Sequence, residues 1–231
     1  MENIVKTKIL VTIADKDKVG RVIKHFKKFD VNYSCSISGE GTASGSLLSY
    51  FGLEEVKKCV VVTVVPCVLE TKIMYDLHNV LKLYKPGNGI CFSLPITSAS
   101  RYLSTMYKDL SMSKEEYEIM NEKEYELIVL IVSQGYASLA MDAAKRVGAS
   151  GGTLINGIGL GTKEATKLLG ITIEPEKDVV LVLTEKEEKR KVMEEVTKAV
   201  GLSHEGRGIL FSVPVDNVVG LTEKLEFNKI N

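Results

Sequence analysis

The sequence predicts an α+β fold made of two tandem βαββαβ units, and three observations carry that prediction. The chain of 231 residues repeats its own motifs at an offset of 118 to 119 positions. Within each copy, short apolar runs alternate with stretches whose apolar residues recur on a 3.6-residue period. Glycine pairs bracket the same loops in both copies. Self-similarity at a fixed spacing means one supersecondary unit used repeatedly.

The first strand reads KILVTI (8–13) in one copy and ELIVLI (126–131) in the other. The first helix follows, with Val19, Val22, Ile23 and Phe26 in the first copy and Leu139, Ala140, Ala143, Ala144 and Val147 in the second. Asp17 reads as the cap of the first of these helices, and Gly148 closes the second. The second strand ends in ISGEG (37–41), matched by INGIG (155–159), and Gly52 answers to Gly170. In the second copy GTKEATKLLG (161–170) reads as a small helix, capped by Thr162 and stopped by Gly170. One residue inserted between Gly170 and Lys177 moves the offset from 118 to 119. The third strand is then CVVVTVV (59–65), matched by DVVLVLT (178–184). The second helix places Ile73, Met74, Leu77, Val80 and Leu81 where the other copy has Val192, Met193, Val196, Ala199 and Val200. Each copy ends in a glycine loop and a last strand, PGNGICFSLPI (86–96) and EGRGILFSVPV (205–215).

This element order is that of the ferredoxin-like split βαβ fold, in which two helices pack on one face of a four-stranded antiparallel sheet. The strands are apolar at consecutive positions, so both sheet faces should be buried. One helix layer covers one face; a second sheet, from the partner repeat or another chain, is the simplest cover for the other. The segmentation is repeat 1 over 1–99, a linker over 100–123 and repeat 2 over 124–231. Within the linker, Glu115, Glu116, Glu118 and Glu122 give an acidic solvated helix or spacer.

Thirty basic and thirty acidic residues balance, so no global field invites nucleic acid or an anionic membrane. No apolar run approaches the roughly 18 residues of a membrane span, and the N-terminal apolar run is too short and interrupted for a signal peptide. Cys35, Cys59, Cys67 and Cys91 form no CxxC pair and read as reduced, mostly buried thiols of a cytoplasmic protein. His25, His78 and His204 have no partner spacing that would make a catalytic or metal-binding set. His25, among Lys24, Lys27 and Lys28, reads as part of a solvated helix face. No acid–base pair recurs in both copies, which argues against an enzyme. Cys35 and Cys67 are candidate metal ligands, but the second copy has Thr153 and Lys186 in their places.

The second copy resembles the PII-type nitrogen-regulatory proteins, in a divergent branch with a short interstrand loop. The motifs that carry the resemblance are AKRVGASGGTLINGIGLGTKEA, EPEKDVVLVL and GRGILFSVPVDNVVGL, spread over residues 126–221, with 8–97 a more worn copy. CutA-type proteins share this fold and are its structural neighbour, with metal binding as the corresponding alternative function. The resemblance implies a signalling protein that forms a homotrimer and binds a small effector, typically an adenine nucleotide, in clefts between subunits. It also implies regulation of a target protein in nitrogen or related metabolism. A third alternative is a structural or protein-interaction module of the same fold with no retained ligand site.

By position the resemblance carries over two glycine pairs of the ligand site. The loop after the second strand supplies Gly157 and Gly159, with Gly39 and Gly41 in the first copy. The loop before the last strand supplies Gly206 and Gly208, with Gly87 and Gly89 in the first copy. Glycine there permits positive φ and lets backbone N–H groups approach phosphate oxygens. Where the family has a phosphate-binding lysine, this chain has Ile209 and Ile90, and the arginines that follow the family's last strand have no counterpart in VPVDNVVGL. Each such lost contact is worth roughly 1.5–3 kcal/mol. Arg207 is the substitute charge, with Lys163 and Lys167 on the adjoining loop, whereas the first copy offers Asn88, Ser44 and Leu48. The second copy is therefore expected to hold the stronger site. Tyr50, the loop tyrosine of the first copy, is expected to serve packing.

Overall fold

A computed structural model describes residues 6–31, 33–42, 56–99, 101–107, 110, 124–159, 166–168, 171–173, 176–201, 203–206 and 208–221. The chain forms two compact units. The first comprises residues 1–38, 58–125 and 214–231, and the second 39–57 and 126–213.

The first unit has the element order the repeat implies. Strand β1 (Thr7–Asp15) leads through a 3-10 turn (Lys16–Lys18) to helix α1 (Val19–Lys27). Then come β2 (Ser34–Gly41) and β3 (Val56–Pro66), whose residues 39–41 and 56–57 belong to the second unit, α2 (Cys67–Leu81) and β4 (Ile90–Pro95). Strand β1 lies between β3 and β4 and is antiparallel to both, with Val11 opposite Val62 and Phe92. Alternation does the sorting: Leu10, Ala14, Cys59, Val61, Val65 and Cys91 point to the helix side and pack with Val22, Phe26, Ile73, Met74, Leu77 and Leu81. On the other sheet face Val11, Ile13, Val60 and Phe92 are also buried, as consecutive apolar positions imply. Pro66, with φ −68° and ψ 139°, turns β3 directly into α2. Helix α2 ends on Lys82 in the left-handed region (φ 54°), and Leu83 N–H donates to the His78 carbonyl.

Within the interval 100–123, residues Arg101–Met106 form a short helix, α3, and Tyr107 is buried with its hydroxyl donating to the Val64 carbonyl. The acidic half of that interval and Tyr50 lie outside the described residues.

The second unit repeats the plan. It contains β5 (Tyr125–Ser133), α4 (Ala137–Arg146), β6 (Thr153–Ile158), a hairpin of β7 (Thr166–Leu168) and β8 (Ile171–Ile173), β9 (Glu176–Glu185), α5 (Lys189–Val200) and β10 (Ile209–Val215). Ile128, Leu130, Val132, Val180 and Val182 meet Ala140, Met141, Ala144, Val192, Val196 and Val200 in its core. Gly148, at φ +116°, stands just past α4, and the following Ala149 N–H donates to the Ala144 carbonyl. From Pro214, near the end of β10, the chain belongs to the first unit, where β11 (Val218–Val219) pairs with β4 through Val218 opposite Phe92. The fold is α+β, with tandem βαββαβ order. Among the described residues no helix is long and apolar enough to cross a membrane.

Three local expectations are corrected. Of the stretch 161–170, the described residues Thr166–Leu168 form a strand instead of a helix: Thr166 pairs with Ile173 and Leu168 with Ile171. The β-branched run Ile171–Ile173 offers a cross-strand partner that a lone turn of helix lacks. Asp17 does not cap α1, because the residues before the helix form a 3-10 turn and Lys18 takes the cap position without a side-chain bond. His25 is not solvated: it is 2% exposed and makes an edge contact with Phe29 at 5.2 Å. Burial holds its pKa below the usual histidine value; Asp76 offsets this in part, and Lys28 adds to it. Its lysine neighbours in sequence point elsewhere on the helix.

Candidate functional site

The glycines fall into two physical classes. Gly39 and Gly41 are not loop residues but the end of β2, in the second unit, where Gly41 stands opposite Thr153 of β6. A Cβ on Gly39 would lie 2.8 Å from the Leu154 carbonyl oxygen, so glycine there serves close strand approach. Gly157 is likewise inside β6, opposite Lys177, and Gly159 lies just beyond that strand. Strand pairing thus extends further than the glycine pattern suggests, and Gly39 and Gly157 adopt no positive φ.

The loops before the last strands are different. In the first unit Gly87 has φ +82° with open space around it. Gly89 has φ +121°, and a Cβ there would lie 2.2 Å from the Ile13 carbonyl oxygen at the end of β1. In the second unit Gly206 and Gly208 are not at positive φ; they are required by contact. A Cβ on Gly206 would meet the Tyr136 ring at 3.1 Å, and one on Gly208 would lie 2.5 Å from the Val200 carbonyl oxygen. Gly208 N–H donates to that same carbonyl at 2.6 Å.

Around the first loop the structure gathers charges that the glycine pattern does not reveal. Lys58, from the start of β3, donates to the Gly87 carbonyl at 2.9 Å and to Asp15 Oδ1 at 2.6 Å. Lys18, from the 3-10 turn, donates to Asp15 Oδ2 at 2.5 Å and to Asn88 Oδ1 at 3.0 Å. Asn88 Nδ2 in turn donates to the Lys82 carbonyl at 2.9 Å. Burial alone would raise the Asp15 pKa, but hydrogen bonds from Lys18 and Lys58 outweigh it and hold the carboxyl below its ordinary value. One carboxylate between two ammonium groups leaves a net positive charge on a loop with two positive-φ glycines.

At the second loop the same frame carries different groups. Ser133, Tyr136 and Lys177 occupy the positions of Asp15, Lys18 and Lys58. Ser133 N–H donates to the Gly206 carbonyl at 2.9 Å, Lys177 reaches Ser133 Oγ at 3.3 Å, and the Tyr136 hydroxyl donates to Glu205 at 2.9 Å. Lys177 therefore links Gly157, its cross-strand partner, to the Gly206 loop. Arg207 and Lys163 lie outside the described residues, as does the side chain of Lys167. Among the described groups, the first copy's loop gathers two lysines, Lys18 and Lys58, and the second copy's loop one, Lys177. The signal was available: the match of CVVVTVV to DVVLVLT extends one residue upstream, from Lys58 to Lys177.

The cysteines are all free thiols. Cys59, Cys67 and Cys91 are buried, whereas Cys35 is exposed. Burial pushes the Cys67 thiol up to about 11 and the Cys91 thiol up to about 12, so neither is a ready thiolate at neutral pH. Among the described residues no three His, Cys, Asp or Glu side chains are grouped to hold a metal ion.

No family model matches the chain, and no curated protein matches it. Solved structures resemble it distantly. Arabidopsis thaliana PII bound to citrate matches at 16% identity over 41% of this chain and 78% of its own, with a TM-score of 0.32. A Bacillus cereus protein related to NIF3 matches at 16% identity over 43% of this chain and 28% of its own, with a TM-score of 0.31. An unknown protein from Galdieria sulphuraria is 12% identical over 91% of this chain and 98% of its own, with a TM-score of 0.29. The similarity to PII is thus a distant structural one, alongside other proteins.

Proposed function

We propose that this chain is a PII-like signalling protein that senses a small anionic effector, with an adenine nucleotide the first class to test, and regulates a target protein. The observation that carries this reading is the cationic glycine loop of the first unit. Lys18 and Lys58 converge there on backbone of unusual conformation, beside an Asn88 amide. An anion arriving there meets two ammonium groups and N–H groups freed of side chains by Gly87 and Gly89. The groups assembled at both loops suit binding rather than proton transfer or nucleophilic attack, so the reading is a sensor and not an enzyme. It includes a cytoplasmic homo-oligomer, with a trimer favoured.

Isothermal titration with ATP, ADP, 2-oxoglutarate and bicarbonate tests it. The expected result is saturable binding of at least one anion, weakened roughly 10- to 100-fold by Lys58→Ala through loss of one charge-assisted contact. No heat with any of them, or an affinity indifferent to Lys58, contradicts it.

A second reading, an interaction module without a ligand, is favoured by one observation. Both ammonium groups already have partners in Asp15, Asn88 and the Gly87 carbonyl. On that reading Lys58→Ala lowers stability and changes no ligand binding.

A further inference from the structure

The two units hold the same ion pair with its charges reversed. In the first, Lys8 at the start of β1 pairs with Glu70 on α2, Nζ to Oε2 2.7 Å, both side chains essentially unexposed. The equivalent positions of the second unit are Glu126 at the start of β5 and Lys189 on α5, which pair at 2.8 Å. Cation on strand and anion on helix in one unit become anion on strand and cation on helix in the other.

The first pair has a third member. Asp216, in the segment that follows β10, brings Oδ2 to 3.1 Å from Lys8 Nζ and is buried. Its other oxygen, Oδ1, is buried without a hydrogen-bond partner among the described residues. A buried carboxylate in that condition depends on its neighbouring cation. Around it the segment is stitched to β4. Asp216 N–H donates to the Ser93 carbonyl and Ser93 N–H to the Asn217 carbonyl, both at 3.0 Å, and Asn217 Nδ2 donates to Glu70 Oε1 at 2.8 Å. Ser93 Oγ bonds Glu70 Oε1 as well.

We propose that the reversed polarity of this pair addresses the chain's returning segment, residues 216–219, to the first unit. Lys8 presents a cation that holds Glu70 and Asp216 together. Glu126, at the same position of the second unit, is a carboxylate that would repel Asp216 if the segment were seated there. The segment after β4 carries Thr97 and Ser98 where the segment after β10 carries Asp216 and Asn217, so it lacks the charged address. The second unit's counterpart of β4 is β10, and the swapped charge distinguishes the two strands as seats for the segment.

Asn217 N–H donates to Ser93 Oγ at 3.2 Å, and hydrogen–deuterium exchange on the full chain tests the proposal through the Ser93, Asp216 and Asn217 amides, whose bonds exist only with the segment seated. Asp216→Lys, which sets like charges against each other, should speed their exchange at least about tenfold, while amides of the β9 ladder keep their rates. The exchange of charges in Lys8→Glu with Asp216→Lys keeps one cation and two carboxylates in the cluster and should recover most of the protection. Should Asp216→Lys unfold the unit, Asp216→Asn removes the charge at constant size and should still speed exchange at those three amides. Unchanged exchange in the single variants overturns the proposal. So does a double variant that exchanges as fast as Asp216→Lys, because that outcome marks a packing role indifferent to charge.

Discussion

Gly89 and Gly87 show how one residue type serves two physical needs within three positions. At Gly87 an added methyl meets open space, so Gly87→Ala carries only the strain of positive φ, about 1 kcal/mol. At Gly89 the same change adds a clash with the Ile13 carbonyl to that strain, for a total above about 3 kcal/mol. Urea denaturation should therefore separate the two variants by at least about 2 kcal/mol; equal costs would mean that the loop is free to move off β1. His25 gives a pH-dependent prediction. Its folded pKa is depressed by burial, so the unfolded chain takes up a proton that the folded chain resists. Its contribution to stability is complete above about pH 6.5 and is lost as pH falls below that value. Urea midpoints measured between pH 7.5 and 5 should fall, and less so in His25→Gln, where no titrating ring remains. An identical fall in the variant would assign the effect to other groups.

At the level of elements, the two ion pairs occupy matching places but differ in burial, which sets their energetics. Burial alone would lower the Lys8 pKa, yet Glu70 and Asp216 outweigh it and hold it above the ordinary lysine value. Lys8→Met leaves two carboxylates buried without their cation and should cost about 3–5 kcal/mol. Lys189→Met, at a pair whose lysine is 30% exposed, should cost about 1 kcal/mol or less. Calorimetric unfolding of both variants checks the contrast, and comparable losses would contradict it. The same elements show what a sequence can convey. The strands and four long helices were legible because their apolar residues keep a fixed period in both copies. The β7–β8 hairpin was not, because a short run such as ATKLLG satisfies helix and strand templates alike. The burial of His25 was hidden for a related reason: local lysines mark a polar helix, but only the packing of α2 decides which of its faces is covered.

For the whole molecule, repetition conveyed more than motif. The offset and the apolar periods together convey the βαββαβ order twice, while the units are not consecutive pieces of the chain: of the described residues, 214–221 belong to the first unit. The glycine pairs were legible as shape, and the repeat marks Lys58 through Lys177, but that Lys18 and Lys58 meet at the loop was not legible, because they reach it from sites 70 and 29 residues away. Oligomeric state follows from the proposed function: static light scattering should give a mass of three 25.4 kDa chains, and a monomer would argue against the trimeric assembly. The central claim, that the first glycine loop holds an anionic effector, is tested most directly by following backbone amide resonances during a titration with ATP, ADP and 2-oxoglutarate. Saturable shifts are expected at Gly87, Asn88 and Gly89, and they should disappear in Lys58→Ala while the rest of the spectrum keeps its dispersion. Resonances of that loop that stay fixed with every anion would contradict it.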